Sequence, residues 1–163
     1  MKKRGVGMNS SIFRKIMVAT DGSELVRKAV DSAIEIAKSS NAKLYAVHVI
    51  ALGDYYSSMP LSIDAEWIKA MEEHLRIEAQ EAIAYVENAG RAANVEIEPV
   101  ILEGNPASEI VDFAEKNDIE LIIMGSHGKT GIERFMIGSI AENVVRHSKR
   151  SVLIVKKELF EKS

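Results

Sequence analysis

A glycine-rich segment in the second half of the chain carries the clearest chemical pattern in the sequence. Gly125 and Gly128 follow a strongly apolar run, and Gly138 and Ser139 open a helical pattern after nine intervening residues. Glycines let backbone N–H groups approach a ligand closely, and the first turn of a helix offers unpaired N–H donors. The segment therefore predicts a phosphate-binding loop, in which Ser139 caps the helix, donates its hydroxyl to a phosphate, or does both.

The tripeptide Gly128-Lys129-Thr130 resembles the end of a Walker A motif but lacks its spacing. Walker A has a longer spacer before its Gly-Lys pair, whereas two residues separate Gly125 from Gly128. The motif also follows the first strand of its fold, and this segment follows the fourth. We therefore reject a P-loop interpretation. Lys129 remains either a phosphate ligand or a solvated loop charge.

Short apolar runs alternate with amphipathic patterns along the chain. Strands are predicted at 15–20, 43–50, 95–102, 120–125 and 151–155. Helices are predicted from Val26 to about Ser39, from about Asp64 to about Gly90, from Pro106, and from about Gly138 to Ser148. The strict alternation predicts an α/β fold with a single open five-stranded parallel sheet and helices on both faces. Residues 51–63 are predicted to form a loop.

Individual residues refine this arrangement. Ser23 and Asn105 are predicted N-caps, and Pro99 is expected to place the third strand at a sheet edge. The consecutive apolar residues of the fourth strand predict a central position, covered on both faces. If the first and fourth strands are neighbours, the loops at 20–22 and 125–128 meet at the edge where such sheets bind ligands.

The pattern Gly125-x-x-Gly128-x9-Gly138-Ser139 resembles the signature of the universal stress protein family in its ATP-binding branch. The resemblance extends over residues 13–157, from the opening KIMVATDGS through His48-Val49 to the closing SVLIVKK. It implies a Rossmann-like fold of the adenine nucleotide alpha hydrolase type. It also implies a homodimer through Ser151–Val155, an apolar edge strand able to pair with a second copy.

The resemblance further implies a binding site for ATP, accompanied by Mg²⁺ through phosphate oxygens and water. Its implied contacts are Ala19, Thr20 and Asp21 for adenine and ribose, Val49 for the adenine edge, Met124 and Gly125 for ribose and α-phosphate, and His127, Gly128, Lys129, Gly138, Ser139 and Ile140 for the triphosphate. Ala19 departs mildly from the family, some members of which have proline there.

Several side chains keep a second interpretation. Asp21 is either a ligand or metal contact or a turn residue, and no metal-ligand set is assigned. His48 is interpreted as structural. The glutamates of the long helix, among them Glu72 and Glu78, are interpreted as a solvated face. We also hypothesise that residues 51–63, which include Tyr55, close over the nucleotide.

The favoured function is that of a nucleotide-binding regulatory protein, with at most slow ATP hydrolysis. The alternative is a nucleotide hydrolase or nucleotidyl transferase that uses the same phosphate-binding loop. A phospho-acceptor receiver domain is a third hypothesis. It is disfavoured because the first strand ends in Thr20-Asp21, without the acidic pair of that chemistry.

The composition of the chain limits the classes of partner and of chemistry that are compatible with it. The chain has 163 residues, a net charge of −3 and no cysteine. The charge argues against nucleic acid and anionic membranes as partners. The absence of cysteine excludes disulfides and thiolate catalysis and is compatible with a cytoplasmic location, which we predict. We expect a flexible leader at 1–12, one domain at 13–157 and a polar tail at 158–163. A regulatory role would also require a protein partner that the sequence leaves unknown.

Overall fold

The computed structural model of the protein describes residues 12–60, 62–127 and 137–156. The strands are β1 (Lys15–Ala19), β2 (Lys43–Ile50), β3 (Ile97–Glu103), β4 (Leu121–Gly125) and β5 (Ser151–Val155). The helices are α1 (Arg27–Ser40), α2 (Leu52–Ser57), α3 (Ala65–Ala92), α4 (Pro106–Lys116) and α5 (Ser139–His147), and a 3-10 turn at Glu24–Val26 precedes α1.

All strand pairs in the described ranges are parallel, and the sheet order is β3-β2-β1-β4-β5. The predicted five-stranded open sheet is therefore confirmed. The chain builds the sheet outward from β1 in one direction and then crosses to β4 on the other side. This reversal makes β1 and β4 neighbours, with Ala19 opposite Met124. Such a switch point opens a crevice at the carboxyl ends of the two strands.

The alternation of side chains along β1 divides the core into two layers. Ile16 and Val18 pack against α1 and α3 on one face, with residues such as Val30. Met17 faces the opposite layer, where Ile110 of α4 lies among the buried side chains beside α5. The sheet is thus covered on both faces, which explains why every residue of β4 is buried.

Both sheet edges are where the sequence predicts them. Pro99 lies in β3, which pairs only with β2 among the described strands, so its missing N–H removes no bond from a second ladder. The β5 strand forms the other edge and pairs with β4. Of the predicted helix caps, the structure confirms Asn105. Asn105 Oδ1 accepts from the N–H of Ser108 at 3.1 Å, with Pro106 at the first helical position.

Four predictions of local structure are wrong. Ser23 makes no capping hydrogen bond, because the chain first forms the 3-10 turn and α1 starts only at Arg27. Gly138, not Ser139, is the N-cap of α5. Residues 51–63 are not all loop, since α2 forms within them. The helix α3 continues past Gly90 to Ala92.

The continuation of α3 has a packing reason. A Cβ on Gly90 would lie 2.4 Å from Cγ1 of Ile97, so glycine is required here for close approach of α3 to β3 rather than to end a helix. Two apolar side chains of α5, Ile140 and Val145, are exposed. No helix within the described ranges is both long enough and apolar enough to cross a membrane.

Candidate functional site

A cavity of about 290 Å³ lies at the carboxyl ends of β1, β2 and β4. Its floor is formed by the ends of these strands, one wall by residues of α2 and α3, and the other by the start of α5. Of the predicted site residues, those that line it are Ala19, Thr20, Asp21, Val49, Met124, Gly125, His127, Gly138, Ser139 and Ile140. Gly128 and Lys129 lie outside the described residues.

The loop after β1 is held in a tight turn beside the cavity. Thr20 N–H donates to the carbonyl of Val47 at 2.9 Å, which extends the pairing with β2 beyond the strand end. Asp21 Oδ1 accepts from the N–H of Ser23 at 2.9 Å. Gly22 has a φ of +76°, and a Cβ there would lie 3.0 Å from Cβ of Ala82 on α3. The turn thus fixes Asp21 at the cavity and places α3 directly beside it.

The end of β2 combines an apolar lining with one buried histidine. His48 Nδ1 lies 2.9 Å from the carbonyl oxygen of Thr20. Because a carbonyl only accepts, Nδ1 carries the proton in this bond. His48 therefore ties β2 to the loop after β1, as its structural interpretation requires, and it also lines the cavity beside Val49 and Ile50.

The end of β4 approaches the cavity through its backbone. A Cβ on Gly125 would lie 3.3 Å from the carbonyl oxygen of His127 and 3.5 Å from Cγ2 of Val26. Ser126 Oγ lies 3.1 Å from Nδ1 of His127. When this hydroxyl donates to Nδ1, neutral His127 carries its proton on Nε2. The Nε2 atom is buried and has no hydrogen-bond partner among the described residues, so it is a donor available to a ligand.

The start of α5 closes the opposite wall. Gly138 N–H donates to the carbonyl of Ser126 at 2.8 Å, which holds the helix start against the end of β4. The N-cap has no side-chain cap, so the N–H groups of the first turn, at Ser139 and Ile140, keep the donors and partial positive charge of a helix N-terminus. This arrangement suits an anionic group such as phosphate.

Glu78 of α3, which the sequence analysis did not place in the site, also lines the cavity. Tyr55 of α2, which lies in the segment hypothesised to close over the nucleotide, lines it as well. Glu78 lies three residues after Leu75 and four before Ala82, both buried on the core stripe of α3. Helical spacing therefore contains a signal for Glu78, because residues at those offsets share a helix face. The interpretation of Glu72 and Glu78 as a purely solvated face is wrong, since both are half-buried.

The helix α2 is attached to α3 through a hydrogen bond from the hydroxyl of Tyr56 to Oε1 of Glu72. This bond to a carboxylate is the main reason why the pKa of Tyr56 is raised above its ordinary value, with a smaller effect of burial. It keeps α2 next to α3 and so holds the adjacent Tyr55 at the cavity mouth.

No cluster of three or more histidine, cysteine or carboxylate side chains that could bind a metal ion occurs in the part of the chain that the structure describes. Within that part the cavity offers isolated carboxylates only, at Asp21 and Glu78. A hard cation such as Mg²⁺ binds with few protein carboxylates when phosphate oxygens and water complete its shell.

Fold and cavity together define an open α/β protein with a ligand crevice at its topological switch point. A family model described as the universal stress protein family matches residues 12–156. The chain belongs to the universal stress protein family.

Relatives and solved structures agree with this assignment. The chain is 40% identical over 147 residues to universal stress protein MJ0531 of Methanocaldococcus jannaschii, covering 90% of this chain and 84% of that protein. It is 32% identical to universal stress protein YxiE of Bacillus subtilis, covering 89% and 100%. The structure of MJ0577, also of M. jannaschii, superposes with a TM-score of 0.76 at 29% identity, covering 90% and 97%.

Two further structures of similar proteins contain nucleotides. A universal stress protein in complex with cAMP has a TM-score of 0.63 at 28% identity and covers 88% of this chain and 97% of that one. The universal stress protein from Archaeoglobus fulgidus in complex with dAMP has a TM-score of 0.63 at 25% identity, covering 89% and 99%.

Proposed function

We propose that this chain is an ATP-binding universal stress protein, in which the nucleotide occupies the cavity and acts as a regulatory ligand. The observation that carries the proposal is the wall between β4 and α5. There a close backbone approach at Gly125, the buried Nε2 of His127, which has no hydrogen-bond partner among the described residues, and the start of α5 without a side-chain cap all belong to the lining of one cavity. Backbone and imidazole donors of this kind match the oxygens of a phosphate chain.

We expect the nucleoside to contact the remaining residues of the cavity lining. Val49 and Met124 offer apolar surface, and the backbone near Val49 offers polar groups for the adenine edge. We expect the ribose to lie toward Asp21, which also lines the cavity. Two structural neighbours bind cAMP and dAMP, which supports an adenine nucleotide as the ligand class. Mg²⁺ would be held by phosphate oxygens and water, with at most one carboxylate from the cavity.

The exposed apolar surface at the β5 edge supports a homodimer as part of this proposal. Leu153 of β5 is exposed, and β5 has no partner on its outer side in the described structure. Pairing two β5 strands would satisfy the open ladder and cover this side chain. The molar mass in solution tests this directly. The cytoplasmic location remains a prediction from the sequence.

The first experiment is mass spectrometry of nucleotide released from purified, denatured protein, followed by calorimetric titration with Mg-ATP. The test variant is Gly138→Val combined with Ser139→Ala, because a Cβ at Gly138 would lie 3.3 Å from the Ser126 carbonyl oxygen. The control is Gly53→Ala, where an added Cβ meets nothing within 4 Å.

We expect adenine nucleotide at about one per chain in the parent and control, and at least about a hundredfold weaker binding in the double variant because several phosphate donors are displaced. A thermal unfolding curve close to that of the parent shows that the variant is folded. A parent that carries no nucleotide and does not bind added Mg-ATP would contradict the proposal. Measuring phosphate release in the same samples tests the alternative of an enzyme with substantial turnover.

A further inference from the structure

Ser126 follows β4 directly and lines the cavity, although its sequence context assigns it no role. Both of its backbone polar groups are paired within the protein. Its N–H donates to the carbonyl of Val155 at 3.0 Å, and its carbonyl accepts from the N–H of Gly138 at 2.8 Å. The residue is 8% exposed. The group through which Ser126 can act on the site is therefore its hydroxyl.

That hydroxyl contacts the ring of the next residue, since Ser126 Oγ lies 3.1 Å from Nδ1 of His127. The main chain of His127 is closely packed by two glycines. A Cβ at Gly125 would lie 3.3 Å from its carbonyl oxygen, and a Cβ at Gly138 would lie 3.7 Å from its Cα. With the main chain held in this way, the ring can still rotate about its side-chain bonds. The contact at Nδ1 restricts that rotation.

The direction of the hydrogen bond between Ser126 and His127 decides what the ring can offer a ligand. In a neutral imidazole one nitrogen donates and the other accepts. If Nδ1 donated to Ser126, Nε2 would carry a lone pair and could not bond a phosphate oxygen. If Ser126 donates to Nδ1, the proton is on Nε2, as an anion requires. This Nε2 is buried and has no hydrogen-bond partner among the described residues, so a donor there is left for a ligand.

We propose that Ser126 is a positioning residue, whose hydroxyl donates to Nδ1 of His127 and keeps the proton on Nε2 for a phosphate oxygen of the bound nucleotide. This inference rests on the proposed nucleotide-binding function and deepens it. The bond made by one ring nitrogen of a histidine sets the state of the other. The group recognised is a phosphate oxygen, which all adenine nucleotides share, the cyclic and deoxy forms included.

The test is a double-mutant cycle, measured on the full-length protein by calorimetric titration with Mg-ATP and with adenosine. The four forms are the parent, Ser126→Ala, His127→Ala and the double variant. The matched control is Ser32→Ala, which removes a serine hydroxyl that donates to the carbonyl of Lys28 on α1, outside the cavity. If Ser126 acts through His127, the loss of its hydroxyl weakens binding only while His127 is present.

We expect Ser126→Ala to weaken Mg-ATP binding by about fivefold, as for the loss of one orienting hydrogen bond, and to leave adenosine binding unchanged. In the His127→Ala background the same substitution should change Mg-ATP binding by less than about twofold. Ser32→Ala should bind both ligands as the parent does. An equal loss of Mg-ATP affinity with and without His127 would overturn the inference, because Ser126 would then act directly or through the fold. An unchanged affinity in Ser126→Ala would overturn it as well.

A second measurement locates the proton without any ligand. Heteronuclear NMR of the histidine ring nitrogens is recorded in mildly alkaline solution, where imidazoles are neutral, and the signals of His127 are assigned from their absence in His127→Ala. The parent should show a protonated Nε2 and an acceptor Nδ1, and the Nδ1 signal should shift in Ser126→Ala. A proton on Nδ1 in the parent contradicts the inference. A parent that does not bind Mg-ATP contradicts the proposed function itself, whereas a parent that binds it but shows no coupling in the cycle contradicts only the role of Ser126.

Discussion

The two walls of the cavity are built from different parts of the chain. The wall at β4 and α5 is mostly backbone: Gly125 and Gly138 bring main-chain groups close, and the first turn of α5 directs its N–H groups inward. The wall at α2 and α3 is made of side chains, with Tyr55 and Glu78 facing the cavity. A backbone wall depends on where the chain lies, whereas a side-chain wall depends on which residues it carries.

We expect the two walls to recognise different parts of a bound nucleotide. Backbone donors recognise phosphate oxygens that every nucleotide shares, so the β4–α5 wall should set affinity for the phosphate chain without selecting a nucleoside. Side chains at α2 and α3 meet the parts that differ between nucleotides. We therefore expect changes on the first wall to act on phosphate-bearing ligands only, and changes on the second to act on nucleosides and nucleotides alike.

Substitution of His127 should give the largest difference between phosphate-bearing and phosphate-free ligands, because its buried Nε2 is a side-chain donor in the wall at β4 and α5. His127→Ala should weaken Mg-ATP binding by roughly 10–100-fold, the range of a hydrogen bond to a charged group. Adenosine, which has no phosphate, should bind almost as before. Calorimetric titration with both ligands measures the two changes. An equal loss for adenosine and ATP would place His127 at the nucleoside and remove the division of tasks.

The sequence predicts the backbone wall well, because glycine spacing and strand order are visible in it. Gly125, Gly138 and the neighbouring end of β1 come together as expected, and the buried run in β4 correctly indicates a central strand. These predictions rest on local sequence patterns and on the order of strands and helices, so they do not require knowledge of tertiary contacts.

The sequence does not predict Glu78 or the helix α2 of the side-chain wall, because their residues have ordinary local interpretations. Glu78 lies in a charged stretch of α3, and only the contact of Ala82 with Gly22 reveals that this stretch passes the cavity. The helix α2 is short, contains Gly53 and depends on the bond from Tyr56 to Glu72 in another helix. Ser23 failed as an N-cap because the backbone first adopts a 3-10 turn that no composition rule indicates. Tertiary contacts decided the cases of Glu78 and α2.

Substitution of Tyr55 tests the wall at α2 and α3, and we expect its effect on binding to be smaller than that of His127→Ala. Its ring lines the cavity mouth while 43% of the residue remains exposed. Tyr55→Ala should weaken the binding of ATP and adenosine equally, by about 5–10-fold, which is the lower end of the roughly 1–3 kcal/mol that an aromatic contact to a base contributes, because the residue is partly exposed. Tyr55→Phe should retain most of the affinity. Titration with the same two ligands measures this, and an unchanged affinity in Tyr55→Ala would contradict both the contact and the hypothesis that this segment closes over the nucleotide.

Tyr56 gives the smallest effect, because it acts on the cavity only through the position of α2. Removing its hydroxyl in Tyr56→Phe should weaken adenosine binding by about twofold at neutral pH, as expected for one exposed hydrogen bond. Tyr85→Phe, at a partly exposed tyrosine of α3 outside the cavity, is the matched control. Titration of adenosine into both variants measures the difference.

The pH dependence of this bond has a defined sign. The carboxylate of Glu72 raises the pKa of Tyr56 above its ordinary value of 10.0, so the bond contributes stability fully below that value and loses it as pH rises through the raised pKa. The tyrosinate absorbance of the parent minus that of Tyr56→Phe reports this titration, and Glu72→Gln should lower the midpoint toward 10.0. If Glu72→Gln lowers the midpoint without weakening adenosine binding, the bond exists but does not position α2. The position of Tyr55 at the cavity would then not depend on the hydrogen bond between Tyr56 and Glu72.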